Sequence, residues 1–147
     1  MFPVIYERYK STGIRQLYSV TKGVGKGMTN DPLEVAMIQY MLNTAFKGQP
    51  ELHLDGVFGP KTHQRIIAFQ RMALAGHYAV DVDGRIGPVQ HDWVYGKDAA
   101  GRPRLRTLVA LNILYHKADP VASENKEPYH LPKRFEILCP EKAKKSA

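Results

Sequence analysis

Residues 55–62 have the sequence Asp55-Gly56-Val57-Phe58-Gly59-Pro60-Lys61-Thr62, and residues 83–88 repeat its pattern as Asp83-Gly84-Arg85-Ile86-Gly87-Pro88. An Asp-Gly pair favours a tight turn because glycine accepts positive φ and the aspartate side chain can bond nearby backbone N–H groups. Proline suits the first position of a helix, where no backbone N–H is needed. Each copy therefore predicts a turn that leads into a helix, with Gly56 and Gly84 at positive φ.

Helical spacing of apolar residues surrounds both turns. Before the first turn, Asp31-Pro32-Leu33-Glu34 is typical of a capped helix start, and the apolar stripe that follows ends near Lys47-Gly48. A second helix is predicted from Pro60 to Gly76, and a third, shorter helix from Pro88 to a stop at Gly96.

The order of these elements resembles the peptidoglycan-binding domain family. The resemblance rests on Val35-x-x-Ile38-Gln39-x-x-Leu42-Asn43, on the two turns, and on Ala68-Phe69-Gln70 between them, and it covers about residues 31–95. It implies a compact three-helix module of the kind that holds cell-wall hydrolases against their substrate. One departure is that Val89-Gln90 follows the second Gly-Pro, where the family usually has Lys-Thr.

The predicted fold is mainly α, with this module at residues 31–96 between extended terminal arms. Residues 1–30 form a basic N-terminal arm, and the Gly- and Lys-rich run at 21–29 predicts a flexible linker. Residues 97–147 form a C-terminal extension with an additional helix at 104–117, an edge strand at 131–139 and a charged tail. Because this additional helix has little polar face, it either covers the module or forms a partner interface.

The chain is basic, with 21 Lys and Arg against 14 Asp and Glu and a net charge of +7. Such a charge favours anionic partners, among them the carboxylates on the stem peptides of the cell wall. The basic residues are spread along the chain without a reader motif, which argues against specific nucleic-acid binding. No transmembrane segment and no signal peptide are recognised. Because peptidoglycan lies outside the cytoplasmic membrane, the resemblance implies a cell-envelope or periplasmic location, reached without a recognisable signal peptide and by a route that the sequence does not indicate.

Candidates for catalysis are weak. Asp55 and Asp83 are a conceivable carboxylate pair, but each already has a role in its turn. His53 and His91 lie near aspartates without matching a metal signature, and Cys139, the only cysteine, lies in no motif that marks a nucleophile. We therefore predict no catalytic residue, no metal site and no cofactor.

The expected function is non-catalytic recognition of peptidoglycan in a shallow groove formed by both turns and the helix starts that follow them. Helix starts gather unpaired N–H donors for carboxylates or carbonyls. The predicted ligand-binding residues are Asp55, Phe58, Thr62, Asp83 and Trp93. Trp93 either stacks on a sugar ring or belongs to the core, and Gln39 and Gln70 either face the groove or bond helix ends.

Two alternatives stay open. In the first alternative, the module is reused as an adaptor that binds a protein of a phage or secretion apparatus. The missing signal and the apolar additional helix favour this alternative. Otherwise the chain is a small cell-wall hydrolase with catalytic residues in its extensions, against which the lack of nucleophile and metal signatures counts.

Overall fold

The computed structural model of the chain describes residues 2–4, 17–76, 78–88 and 94–118. Three helices and six short strands lie within these residues. Their order is β1 (Phe2–Val4), β2 (Leu17–Ser19), β3 (Val24–Gly25), α1 (Pro32–Ala45), α2 (Pro60–Gly76), β4 (Arg85–Ile86), β5 (Val94–Lys97), β6 (Pro103–Leu105) and α3 (Thr107–Ala118). Each strand pairs with one neighbour in an antiparallel two-stranded sheet: β1 with β2, β3 with β4, and β5 with β6. The mainly α prediction is therefore confirmed only in part.

One apolar core holds the helices together, and α1 makes its most extensive helix contact with α3. The buried helical residues include Val35, Ile38, Met41 and Leu42 of α1, Ile66, Phe69 and Ala73 of α2, and Leu108, Val109 and Leu111 of α3. Apolar residues recur at helical spacing on α1 and α2, as the sequence pattern requires. None of the helices in the described part of the chain is long and apolar enough to span a lipid bilayer.

The predicted start of α1 is confirmed. The Asp31 side chain caps the helix by accepting hydrogen bonds from the backbone N–H groups of Leu33 and Glu34, at 3.1 and 3.2 Å. The Glu34 carboxylate, which is buried, accepts from the Thr21 N–H at 2.6 Å and from the Thr21 hydroxyl at 3.2 Å. Glu34 therefore ties the N-terminal segment to the first turn of α1.

The N-terminal segment differs from the predicted flexible linker. Val24 is fully buried, and β3 pairs with β4 so that Val24 lies opposite Ile86. Nearby, the Tyr18 N–H donates to Asn112 Oδ1 at 2.7 Å, and the Asn112 amide donates back to the Tyr18 carbonyl at 2.9 Å. Composition predicted a linker because glycines are common there, but in the fold those glycines flank a core valine.

The helices after the second turn also differ from prediction. Val94, predicted within a third helix, lies in strand β5, while residues 89–93 fall outside the described part of the chain. The predicted additional helix at 104–117 is observed as α3, which begins at Thr107 and is the third described helix. A short apolar window after Pro88 fits a helix and a strand equally well, so periodicity did not decide between them.

The β5–β6 hairpin lies against the end of α2. Its loop is closed by Asp98, which accepts from Arg102 Nε at 2.8 Å, and Arg102 Nη1 donates to the Leu74 carbonyl of α2 at 2.8 Å. Arg104 pairs with Asp81 at 2.8 Å. The hairpin is therefore attached to the module rather than extended from it. The predicted strand at 131–139 and the tail lie outside the described residues.

Candidate functional site

The side chain of Gln39, on α1, closes the first Asp-Gly turn onto the start of α2. Its Nε2 lies within hydrogen-bonding distance of Asp55 Oδ1 (3.1 Å), the Val57 carbonyl (3.2 Å) and Thr62 Oγ1 (3.0 Å). Its Oε1 accepts from the Gly56 N–H at 3.2 Å. Gln39 is 1% exposed, so these bonds are largely shielded from water. We call Gln39, the turn and Thr62 the first unit.

The side chain of Gln70, on α2, repeats this arrangement at the second turn. Its Nε2 lies 2.9 Å from Asp83 Oδ1, 3.2 Å from the Arg85 carbonyl and 3.0 Å from Thr107 Oγ1. Its Oε1 accepts from the N–H groups of Asp83 and Gly84 at 3.1 and 2.8 Å. We call Gln70, the second turn and Thr107 the second unit. The chain thus contains a structural duplication and not merely a repeated turn.

Both turn glycines have the predicted positive φ, +72° in each case. A Cβ atom at Gly56 would lie 2.6 Å from the backbone oxygen of Pro32. A Cβ atom at Gly84 would lie 2.6 Å from Cε1 of His63. The His63 ring in turn packs edge-on against the Phe58 ring, with the ring centroids 5.9 Å apart. Each glycine is therefore required both by its backbone conformation and by a close neighbour.

The sequence concealed one member of the second unit. Thr62 follows Asp55 by 7 positions, whereas Thr107 follows Asp83 by 24 positions. The insertion of 17 residues contains the β5–β6 hairpin, and it separates Gly-Pro from the threonine that belongs to it. The available signal was Arg106-Thr107 directly before an apolar run, which parallels Lys61-Thr62.

The five predicted ligand-binding residues do not all lie at one place in the structure. Asp55 and Thr62 meet in the first unit, Asp83 lies in the second unit, and half-buried Phe58 packs on His63. Trp93 lies outside the described residues. Among the residues that the structure describes, the two turns line separate depressions rather than one shared groove.

The polar atoms of the first unit are engaged in holding the turn. Asp55 Oδ1 accepts from the Val57 N–H at 2.9 Å as well as from Gln39, and Thr62 is 4% exposed. The Val57 N–H, followed by the Gln39 amide, lowers the pKa of Asp55 because both stabilise its charged form. Asp55 is thus an ionised acceptor of the turn.

A groove of about 780 Å³ lies beside the first unit, which we call the first groove. It runs between residues 49–53 and the first two turns of α2, and its lining includes Leu52, Val57, Lys61, Arg65 and Ala68. Val57, at the tip of the turn, is 61% exposed. The groove therefore offers an apolar surface with cations along one wall.

The start of α2 adds positive potential to the first groove. The helix has no acidic residue in its first turn, and Gly59, which precedes Pro60, has no side chain with which to cap it. Asp55 and Glu51 also line the groove, so its charges are mixed. This environment suits a ligand with both anionic and polar neutral groups.

The depression beside the second unit is smaller, about 210 Å³, and we call it the second groove. Its lining includes Met28 of the N-terminal segment together with Asp83, Arg85, Arg106 and Thr107. Strand β3 pairs directly with β4, which follows Gly84 of the second turn. The N-terminal segment therefore occupies space next to the second turn.

In the described part of the chain, no three His, Cys, Asp or Glu side chains are grouped as a metal site requires. Comparisons of the chain with models of protein families, with curated proteins and with solved structures find no match.

Proposed function

We propose that this chain recognises bacterial cell-wall peptidoglycan without chemistry of its own, and that the first groove is its binding surface. The observation that carries the proposal is the open groove beside the first of two Gln–Asp-Gly–Thr units. The order of the sequence motifs, with its resemblance to peptidoglycan-binding modules, supports the same function.

The chemistry of the groove fits a polymer of sugars and short peptides. Its apolar lining, with Leu52, Val57 and Ala68, suits the faces of sugar rings or methyl side chains. The cations Lys61 and Arg65 suit peptide carboxylates. Such a ligand places the protein in the cell envelope or periplasm, which is part of the proposal.

The adaptor alternative loses one of the two observations that favoured it. The apolar residues of α3 were expected either to cover the module or to meet a partner. Leu108, Val109 and Leu111 are all buried in the shared core, so they cover the module. In the described part of the chain, the large apolar residues with more than a third of their surface exposed are Val57 (61%), Leu74 (37%) and Val82 (36%). Of these, Val57 belongs to the first groove.

Retention on purified, insoluble peptidoglycan tests the proposal. The parent protein is expected to remain bound when salt is raised, because a fitted groove does not rely on screened charge attraction alone. Ala68→Trp, which fills the groove, should reduce retention at least tenfold. Ala75→Trp is the matched control, because Ala75 is exposed on the same helix and does not line the groove.

Melting temperatures of both variants must match the parent for the comparison to count. Loss of all parent retention at raised salt would contradict peptidoglycan recognition. Equal retention of the two tryptophan variants would contradict the first groove as its location.

A further inference from the structure

We propose that Arg65 determines the specificity of the first groove by binding a carboxylate of the peptide part of the wall. This inference rests on the proposed function and names the chemical group that the groove selects. Three features of the groove lead to it. The polar side chains of the first unit already bond one another, Lys61 and Arg65 lie close together on one wall, and the Arg65 guanidinium has an N–H group without an acceptor among the described residues.

The polar side chains of the first unit have few hydrogen bonds to spare for a ligand. The amide of Gln39 has four neighbours within 3.2 Å, and the Thr62 hydroxyl is buried against it. Asp55 bears a negative charge, so it disfavours an anionic group. Recognition of a ligand anion therefore falls to the cations on the α2 wall.

Lys61 and Arg65 stand one helical turn apart on that wall, and both line the groove. Like charges at this spacing destabilise a helix unless an anion lies between them. Neither has an ion-pair partner among the residues that the structure describes. The pair therefore presents two positive charges that are not held in ion pairs, in a groove whose lining also includes Glu51 and Asp55.

The guanidinium of Arg65 also has an unused donor. Its Nη1 atom is buried, yet it has no hydrogen-bond partner in the described part of the chain. A buried N–H without an acceptor is costly, and more so on a charged group. An acceptor in the groove that draws the guanidinium outward relieves this cost.

A carboxylate meets these conditions best. Its two oxygens match the planar fork of a guanidinium, and its single negative charge offsets part of the positive charge of Lys61 and Arg65. A sugar hydroxyl offers no such charge. The stem peptides of the wall carry carboxylates on an otherwise neutral backbone, which suits the mixed lining of the groove.

The test uses purified sacculi freed of phosphate-containing polymers, either native or with their carboxylates converted to amides. Arg65→Gln is compared with the parent and with Arg71→Gln, an exposed arginine of α2 outside the groove. Amidation is expected to weaken parent binding about tenfold. Arg65→Gln should bind native wall about tenfold more weakly and lose little more on amidated wall. Arg71→Gln should behave as the parent does.

The outcomes separate this inference from the function on which it rests. If the parent is not retained on native wall, the proposed function fails and the inference fails with it. If the parent is retained and Arg65→Gln binds equally well, only the role of Arg65 is overturned. Amidation that weakens the parent and Arg65→Gln equally would likewise overturn the carboxylate pairing.

Stability gives a second readout. Arg65→Gln removes a like charge and an unused donor, so its melting temperature should equal or exceed that of the parent. A lower melting temperature would assign Arg65 a structural role and contradict the inference.

Discussion

The first and second units share one hydrogen-bonding scheme but have different surfaces. In each, a buried glutamine joins an Asp-Gly turn to a threonine in the first turn of the next helix. Beside the first unit lies a groove of about 780 Å³, and beside the second a depression of about 210 Å³. The same hydrogen-bonding scheme therefore does not determine the size of the groove beside it.

The difference arises from segments outside the units. Strand β3 pairs with the second turn, and Met28 lines the second groove. The β5–β6 hairpin is attached to α2 through Arg102, and its Arg104 pairs with Asp81, which lines the second groove. The glutamine scheme thus maintains the fold at both places, whereas binding is proposed only where the surrounding chain leaves room.

The largest predicted effect tests whether the two units are equivalent in the fold. Gln39→Met and Gln70→Met preserve much of the side-chain volume but leave the turn amides and threonine hydroxyls without partners. Each is expected to lower the free energy of unfolding by about 2–3 kcal/mol. Urea denaturation measures both, and a loss below about 1 kcal/mol in only one variant would break the equivalence.

An effect that is comparable at one glycine and smaller at the other is expected where the units differ in their closest neighbour. At Gly56, an added methyl group would meet the Pro32 backbone oxygen, which cannot move without shifting α1. At Gly84, it would meet the His63 side chain, which can rotate. Positive φ adds strain at both positions.

Gly56→Ala is therefore predicted to destabilise the protein by about 2–3 kcal/mol, and Gly84→Ala by about 1–2 kcal/mol. Chemical denaturation of the two variants side by side gives the order. The reverse order would show that His63 is held more rigidly than the backbone at the start of α1.

The smallest predicted effect concerns the charge of the first unit. The pKa of Asp55 is lowered by the Val57 N–H and the Gln39 amide, so its ionised form stabilises the fold. This contribution is present above the unfolded pKa of an aspartate, about 3.9, and is lost as pH falls through the lower folded value. Asp55 is exposed, so solvent screening keeps the effect small.

Asp55→Asn should therefore show a shallower loss of stability below about pH 4 than the parent. The comparison with the parent is necessary because the pKa of Asp98 is also lowered, by its hydrogen bonds from Arg102. Thermal melting across acidic pH gives the two slopes. Identical slopes would show that the hydrogen bonds of the turn do not stabilise the ionised form of Asp55.

Much of the scaffold could be predicted from the sequence because its signals are local. The Asp31 cap, the start of α2 at Pro60 and the positive φ of Gly56 and Gly84 all follow from residues within a few positions. Such features depend on backbone geometry and short-range hydrogen bonds, which composition and spacing reveal.

The remainder depends on contacts between distant residues. Thr107 could not be assigned to the second turn because 17 inserted residues hide the spacing. The burial of Val24 depends on its pairing opposite Ile86, which no local sequence pattern indicates. For the same reason, the sequence did not separate the first groove from the second, and it did not identify Arg65.

The most direct test of the difference between the units is an NMR titration of the whole protein with soluble peptidoglycan fragments that carry their stem peptides. We expect shifts of the backbone amides of Leu52, Val57 and Lys61, which line the first groove. We expect little change at Arg85 and Thr107, which line the second groove. Shifts centred on the second unit, or none at the first groove at saturating fragment concentration, would contradict the central claim.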